Sequence, residues 1–228
     1  MREIVIDTET TGLDPVDGHR LIEVGCVELF DHLPTGITFQ RYLNPERLVG
    51  DSERIHGVSD AFLSDKPLFA HVTDELLEFL GDSPLVMHNA AFDMKFLNHE
   101  LRRVARPTIP YSRAIDTIEI AKSKIPGARY SLDELCRRFG VDLSARTKHG
   151  ALLDAQLTAG IYLELVGGRQ TRLVLAPRDV SATMMTSEII VPHVRPEPLP
   201  PRITPDEVAV HAAFVAAELG AAALWNWL

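Results

Sequence analysis

Two acidic side chains near the start of the chain, Asp7 and Glu9, have a spacing that would let them bind one metal ion together. They lie two residues apart in a stretch that begins with Ile4-Val5-Ile6, so on a β-strand both project from the same face. The residues that follow, Thr10-Thr11-Gly12, are small and leave room for a ligand. The spacing alone is weak support, because Asp51-Ser52-Glu53 repeats it and an isolated pair is more often a solvated strand end.

Two further acidic residues and a histidine lie where helices are predicted to begin. Asp93 falls in the first turn of a helix that follows strand 84–89, and Asp154 lies one turn into a helix preceded by His149. We expect Asp93 at the edge of the sheet where mixed α/β folds bind ligands, although stabilisation of the helix dipole is an alternative role. His88 precedes Asp93 by the same offset as His149 precedes Asp154, so this spacing does not single out His149.

The pattern of strands and helices that would position these side chains predicts an α/β fold with a mixed sheet. β-branched and apolar runs predict three strands in an antiparallel meander and then strands that alternate with helices, at residues 3–9, 21–29, 37–44, 84–89 and 114–117. Helical patterns follow near 70–80, at 91–104, from Ser131 and near 150–166. A capping box at Ser131-Leu132-Asp133-Glu134 and the pair Gly167-Gly168 give start and stop signals.

Composition and charge limit the possible functions. The chain has 228 residues and a net charge of -9, of which residues 1–166 carry 18 − 26 = −8 and residues 167–228 carry 5 − 6 = −1. This sign argues against a protein that grips long duplex DNA through phosphate contacts, unless metal ions held by clustered carboxylates supply positive charge locally. The two cysteines lack metal-site spacing, and the start Met1-Arg2-Glu3 has no signal-peptide pattern, so we expect a cytoplasmic protein.

The region after residue 168 predicts a tether and a docking element. Six prolines between Pro192 and Pro205 mark a linker, and Thr204-Pro205-Asp206-Glu207 begins a further helix. We therefore expect a globular domain at 1–168, a linker at 169–203 and a docking helix at 204–228. A membrane span is the weaker alternative for the last segment, because polar residues interrupt it and no basic flank is present.

The ordered motifs DTETTGL, HNAAFD and HGALLD, each on the element expected, resemble those of the DEDDh exonucleases, whose fold is ribonuclease H-like. The chain resembles the epsilon subunits of bacterial DNA polymerase III more closely still, through the runs Tyr130–Cys136 and Arg146–Gln156, and the resemblance covers about residues 3–168. It implies a five-stranded sheet flanked by helices. It also implies a 3′→5′ exonuclease that proofreads single-stranded or mispaired DNA 3′ ends.

The resemblance also implies site residues. Asp7, Glu9, Asp93 and Asp154 would bind two divalent ions, Mg²⁺ or Mn²⁺, and His149 would be the general base. Asp51 and His56, together with Asp7, Glu9 and Asp154, would bind the terminal nucleotide; a polar loop residue satisfied by the backbone is the alternative for His56.

Partners follow from the same resemblance. Gln170, Leu173 and Leu175 have the outline of a clamp-binding peptide, and the final helix with Trp225 and Trp227 would dock on the polymerase alpha subunit. A sliding clamp and a small theta-like subunit are further expected partners. Two alternatives remain: a free-standing RNA-trimming relative, disfavoured by the tethered helix, and an idle subunit that only braces a polymerase, disfavoured by the intact acidic cluster.

Overall fold

The structure is a computed structural model of the chain, and it describes residues 1–144, 146, 148–168 and 204–219. The chain divides into two units, Met1–Val174 and Leu175–Leu228. The proposed functional residues that the structure describes all lie in the first unit.

A mixed sheet forms the centre of the first unit. Its described strands have the spatial order β3-β2-β1-β4-β5 and the bounds β1 Arg2–Thr10, β2 Leu21–Phe30, β3 Leu33–Tyr42, β4 Leu85–Met87 and β5 Ala114–Asp116. Strands β1, β2 and β3 pair antiparallel, whereas β4 pairs parallel with both β1 and β5. The antiparallel meander and the mixed sheet predicted from the sequence are therefore confirmed.

Helices connect and cover the strands. The described helices of this unit are α1 Glu53–His56, α2 Asp60–Leu63, α3 Phe69–Leu80, α4 Ala90–Arg103, α5 Thr117–Lys124, α6 Leu132–Phe139 and α7 Ala151–Val166. The Ser131 hydroxyl caps α6 by accepting the Glu134 N–H, as its sequence predicts, and Gly167 ends α7. Helices α1, α2 and α5 were not predicted, because the first two are single turns and α5 follows β5 directly.

The alternation of β1 assigns its two faces to different helices. Ile4 and Ile6 join the core formed with α3 and α4, whereas Val5 joins the core formed with α7. Because side chains alternate along a strand, Asp7 and Glu9 share the α7 face with Val5. The acidic pair therefore continues a buried apolar row at the point where β1 ends.

Strand β3 is longer at its start than the predicted 37–44. Asp31 and His32, with φ values of 48° and 67°, form a two-residue connection that lets β3 begin at Leu33. Glycine or asparagine most often supplies such left-handed turns, so the sequence signal here was weak.

The second unit contains a described helix, α8 Pro205–Phe214, which continues as a π-helical turn to Leu219. Its start is a complete capping box, in which the Thr204 hydroxyl accepts the Glu207 N–H and the Glu207 side chain accepts the Thr204 N–H, as predicted. Among the helices of the described part of the chain, none has the length and apolarity needed to cross a bilayer.

Candidate active site

The acidic pair on β1 lies at the base of the site. Glu9 is buried, whereas Asp7 is partly buried and lies in the wall of an open cleft. Burial and then the charges of Asp93, Asp154 and Glu9 hold the pKa of Asp7 well above its usual range. Acidic side chains from α4, from α7 and from β1 itself therefore converge on Asp7.

Asp93 reaches this cluster from the first turn of α4. It is 2% exposed, and the Thr8 hydroxyl donates a 2.7 Å hydrogen bond to its Oδ1. Burial raises the pKa of Asp93 to about 7, and the Thr8 hydrogen bond opposes that rise. Thr8 points to the opposite face of β1 from Asp7 and Glu9, so it fixes Asp93 from the α4 side.

The turn before α4 has its own support. Asn89 has a left-handed backbone, with φ 77°, and both carboxylate oxygens of Asp116 accept backbone N–H groups of this turn, from Asn89 at 3.3 Å and Ala90 at 3.0 Å. Asp116 also caps α5. Asp116 thus has a structural role, as a strand-end carboxylate that supports the turn before α4.

Asp154 approaches from α7, whose first turn crosses β2 at Gly25. A Cβ atom at Gly25 would lie 2.2 Å from the backbone nitrogen of Leu152, so only glycine permits this crossing. The buried Glu23 carboxylate accepts the Ala151 N–H at 3.2 Å and an amide hydrogen of Gln40 at 2.7 Å. These contacts fix the start of the helix that carries Asp154.

His149 lies two residues before the start of α7, and its ring is about half-exposed, with 49% of the side chain accessible. Its Nδ1 lies 3.3 Å from Oδ2 of Asp154, and its backbone N–H donates to the carbonyl of Ile55. Glu9, His149 and Asp154 each offer a ligand atom, and these atoms lie within 4.8 Å of one another. Such oxygen and imidazole donors suit a divalent cation.

The unbalanced charge of the cluster supports the same conclusion. Burial, and then the charges of Asp154, Glu23 and Asp93, raise the pKa of Glu9 from 4.5 to about 8. Arg146 is the cation that contacts the cluster within the described residues, where it pairs with Asp154. Four carboxylates against one guanidinium favour the binding of further positive charge, which fits a metal centre.

The carboxylates line a cleft of about 640 Å³. Its lining includes the exposed apolar side chains Leu13 and Ile55, and also His56. The His56 Nδ1 accepts the Val58 N–H, and burial followed by the charges of Lys148 and His149 lowers its pKa. The cleft thus combines a charged base with apolar walls that would suit a nucleobase.

Comparison with known proteins shows the family of the chain. The family model described as exonuclease matches residues 4–162. The DNA polymerase III subunit epsilon of Rickettsia felis is 45% identical over 96% of this chain and 97% of its own length, and that of Escherichia coli is 39% identical over 99% and 97%. The chain belongs to the exonuclease family of DNA polymerase III epsilon subunits.

A solved structure supports the fold of this exonuclease. The nuclease domain of 3′hExo, a DEDDh family member bound to rAMP, matches 72% of this chain and 91% of its own length, with a TM-score of 0.63 and 23% identity. The ribonuclease H-like fold expected from the sequence is therefore confirmed. The expected enzyme class is confirmed by the exonuclease family model and the epsilon-subunit relatives.

The structure brings most of the proposed site residues of this epsilon-family chain together. Asp7, Glu9, His56, Asp93, His149 and Asp154 all line the cleft. Asp51 does not: its side chain is 95% exposed, and its nearest described ion pair is with Arg54 at 3.6 Å. The proposed partner residues Gln170, Leu173, Leu175, Trp225 and Trp227 lie outside the described residues.

Sequence reasoning missed residues that support the site. Arg146 is the first residue of the run Arg146–Gln156 that carries the family resemblance. The sequence around it does not indicate with which acidic residue it pairs. Glu23 was missed because its role depends on the β1–β2 register, which places it opposite Glu9. Thr8 lies between the two acidic residues of β1, and the alternation of the strand could have predicted that it faces α4.

Proposed function

We propose that this exonuclease removes nucleotides from the 3′ ends of single-stranded or mispaired DNA, as the proofreading subunit of a replicative DNA polymerase III. The observation that carries the proposal is the convergence of Asp7, Glu9, Asp93 and Asp154, from three separate elements, beside His149 in an open cleft. The names of the relatives support the assignment to DNA polymerase III.

The four carboxylates would hold two divalent ions, for which Mg²⁺ and Mn²⁺ are our candidates. When bound, such ions supply positive charge that makes water a better nucleophile and stabilises the leaving oxygen of a phosphodiester. The raised pKa values of Asp7, Glu9 and Asp93 support this assignment, because each marks a carboxylate that gains from a nearby cation.

His149 is the proposed general base. Its ring is half-exposed on the cleft side of the cluster, close enough to the carboxylates to take a proton from a water placed there. His88 also lines the cleft, but its Nδ1 lies 2.8 Å from the Thr117 hydroxyl and its pKa is lowered by burial. His149 is therefore the stronger candidate of the two.

The terminal nucleotide would lie between the carboxylates and the apolar wall of the cleft. Asp7, Glu9 and Asp154 would approach its phosphate through the ions, and His56 with Ile55 would border the sugar and base. The proposed contact from Asp51 has weaker support, because that side chain lies outside the cleft lining.

The partner proposals concern the region after residue 168. We propose that 204–228 docks on the polymerase alpha subunit at the end of a tether formed by 169–203. Within α8, the exposed apolar side chains Val208, Val210 and Phe214 support a docking role, because an isolated short helix gains stability by burying such surface. A sliding clamp at 170–175 and a small theta-like subunit remain proposed partners.

The test is the release of nucleotides from an end-labelled single DNA strand. With Mg²⁺ or Mn²⁺, a 3′ label should leave first and as a mononucleotide, and a 5′-labelled strand should shorten progressively; EDTA should abolish both. Asp7→Ala should lower the rate by several orders of magnitude while the protein stays folded, because its removal relieves repulsion within the cluster.

The matched control is Asp82→Ala, an exposed residue before β4 at the opposite end of the sheet. It should cleave like the wild type. Full activity of Asp7→Ala would overturn the metal assignment, and faster cleavage of an RNA strand than of DNA would favour the RNA-trimming alternative. Polymerase binding without any cleavage would favour the bracing alternative.

A further inference from the structure

Arg146 holds the Asp154 carboxylate in a two-pronged ion pair. Its Nε donates to Oδ1 of Asp154 at 2.6 Å and one terminal nitrogen donates to Oδ2 at 2.7 Å, so both oxygens are engaged. The arginine side chain is only 10% exposed and Asp154 is 4% exposed. Paired and shielded from water in this way, a guanidinium fork is among the stronger interactions of a carboxylate.

The same guanidinium nitrogen that binds Oδ2 also lies 3.0 Å from Nδ1 of His149. Arginine has only donors, so Nδ1 accepts in this contact when the imidazole carries its hydrogen on Nε2, whereas a protonated Nδ1 would instead donate to Oδ2 of Asp154, 3.3 Å away. With the hydrogen on Nε2, the Nδ1 lone pair is engaged in the contact with Arg146. While it is so engaged, this nitrogen cannot also accept a proton from water.

We propose that Arg146 competes with divalent metal for Asp154, and that displacement of Arg146 by metal also frees Nδ1 of His149. The inference rests on the proposed metal centre and extends it. Competition follows because the ligand oxygens of Asp154 are those that the fork occupies, and because a cation bound there would repel the guanidinium. Metal loading and release of the base would then be a single event.

Asp133 provides a partner for the displaced arginine. The third guanidinium nitrogen donates to Oδ1 of Asp133 on α6 at 2.5 Å, and the Asp133 side chain is 41% exposed at the wall of the cleft. Arg146 can therefore leave Asp154 and still keep a salt bridge near solvent. The exchange does not require a buried, unpaired charge, which would be costly.

The test measures Mn²⁺ binding to the full chain by calorimetry, with no nucleic acid present. Arg146→Gln should bind Mn²⁺ at least about tenfold more tightly than wild type, the change expected when a competing charge-assisted pair is removed. Arg146→Lys, which keeps the charge but loses the fork, should fall between them. If Arg146→Gln fails to fold, a tighter affinity of Arg146→Lys than of wild type carries the test.

The control is Arg106→Gln, which removes a half-exposed arginine paired with Asp74 on α3, outside the cleft lining, and should leave Mn²⁺ affinity unchanged. A second readout is the ¹⁵N spectrum of the His149 ring. Its Nδ1 resonance should shift when Mg²⁺ is added to the wild type. In Arg146→Gln the resonance should differ from that of the metal-free wild type even before Mg²⁺ is added, because the contact with Arg146 is lost.

Equal or weaker Mn²⁺ binding by Arg146→Gln would overturn the competition and make Arg146 a residue that orients Asp154 for the metal. An unchanged His149 spectrum on Mg²⁺ addition would overturn the coupling to the base. Failure of the metal centre itself looks different, because then neither the wild type nor any variant would bind Mn²⁺.

Discussion

Replacing Glu9 with glutamine should stabilise the protein in EDTA at about pH 8 and have little effect at about pH 5. The pKa of Glu9 is raised from 4.5 to about 8, first by burial and then by Asp154, Glu23 and Asp93. A raised carboxyl pKa means that the folded state favours the protonated form. The cost of ionising Glu9 in the fold is therefore absent below about pH 4.5, grows as pH rises, and is complete above about pH 8.

The size of the effect follows from that shift. A rise of 3.5 units, from 4.5 to about 8, corresponds to about 5 kcal/mol at about 1.4 kcal/mol per unit. This is a ceiling, because water entering the cleft and relaxation of the charged cluster reduce the cost. We expect Glu9→Gln to gain about 2 kcal/mol in free energy of unfolding near pH 8 and less than about 1 kcal/mol near pH 5.

Urea denaturation in EDTA at the two pH values measures this difference, with Glu78→Gln on the exposed face of α3 as the matched control. Saturating Mg²⁺ should reverse the order at pH 8, because the wild type gains binding free energy that the variant partly lacks. The reasoning would be refuted if Glu9→Gln were less stable than wild type in EDTA at pH 8. A gain of equal size at both pH values would refute it as well.

Two further changes test the base and the domain boundary. His149→Ala should lower the single-turnover rate about 10²–10⁴-fold while Mn²⁺ still binds. The rate of His88→Ala should fall much less, and that of the exposed control His71→Ala should match wild type. A weaker DNA affinity with an unchanged rate would make His149 a binding residue. Residues 1–168 should fold and digest free single strands at close to the full-length rate. They should fail to co-elute with the polymerase on gel filtration. Co-elution would instead place the docking surface on the nuclease unit.

The acidic motifs could be located from the sequence because each depends on local pattern. The alternation of β1 gives the shared face of Asp7 and Glu9, and helix starts give the positions of Asp93 and Asp154. The family resemblance then selected His149 over His88, a choice that equal spacing could not make.

The supporting contacts could not be predicted, because they depend on how distant elements meet. Glu23 acts on α7 only because β2 pairs with β1 in one register and α7 crosses β2 at Gly25, more than a hundred residues later in the chain. Arg146 is eight residues from Asp154, yet its contact requires the loop before α7 to fold back over the helix start. Local propensity carries no information about either approach.

The distribution of charge gives a physical reason for the proposed tether. Residues 1–166 carry a net charge of 18 − 26 = −8, so the nuclease unit lacks the excess of basic residues from which most non-specific affinity for a DNA strand arises. Metal ions bound in the cleft, as proposed, would compensate this charge only at the phosphates next to the cut. An enzyme of this kind would hold a free strand weakly, and it would act efficiently on an end that a partner keeps nearby. The proposed linker to that partner would raise the effective concentration of the end to about the millimolar range without any new contact to DNA. On this proposal, shortening the chain to residues 1–168 leaves the chemistry of the cleft intact and removes only the advantage of proximity. The loss should therefore appear at dilute or polymerase-held ends, and it should vanish when free strands are supplied in excess.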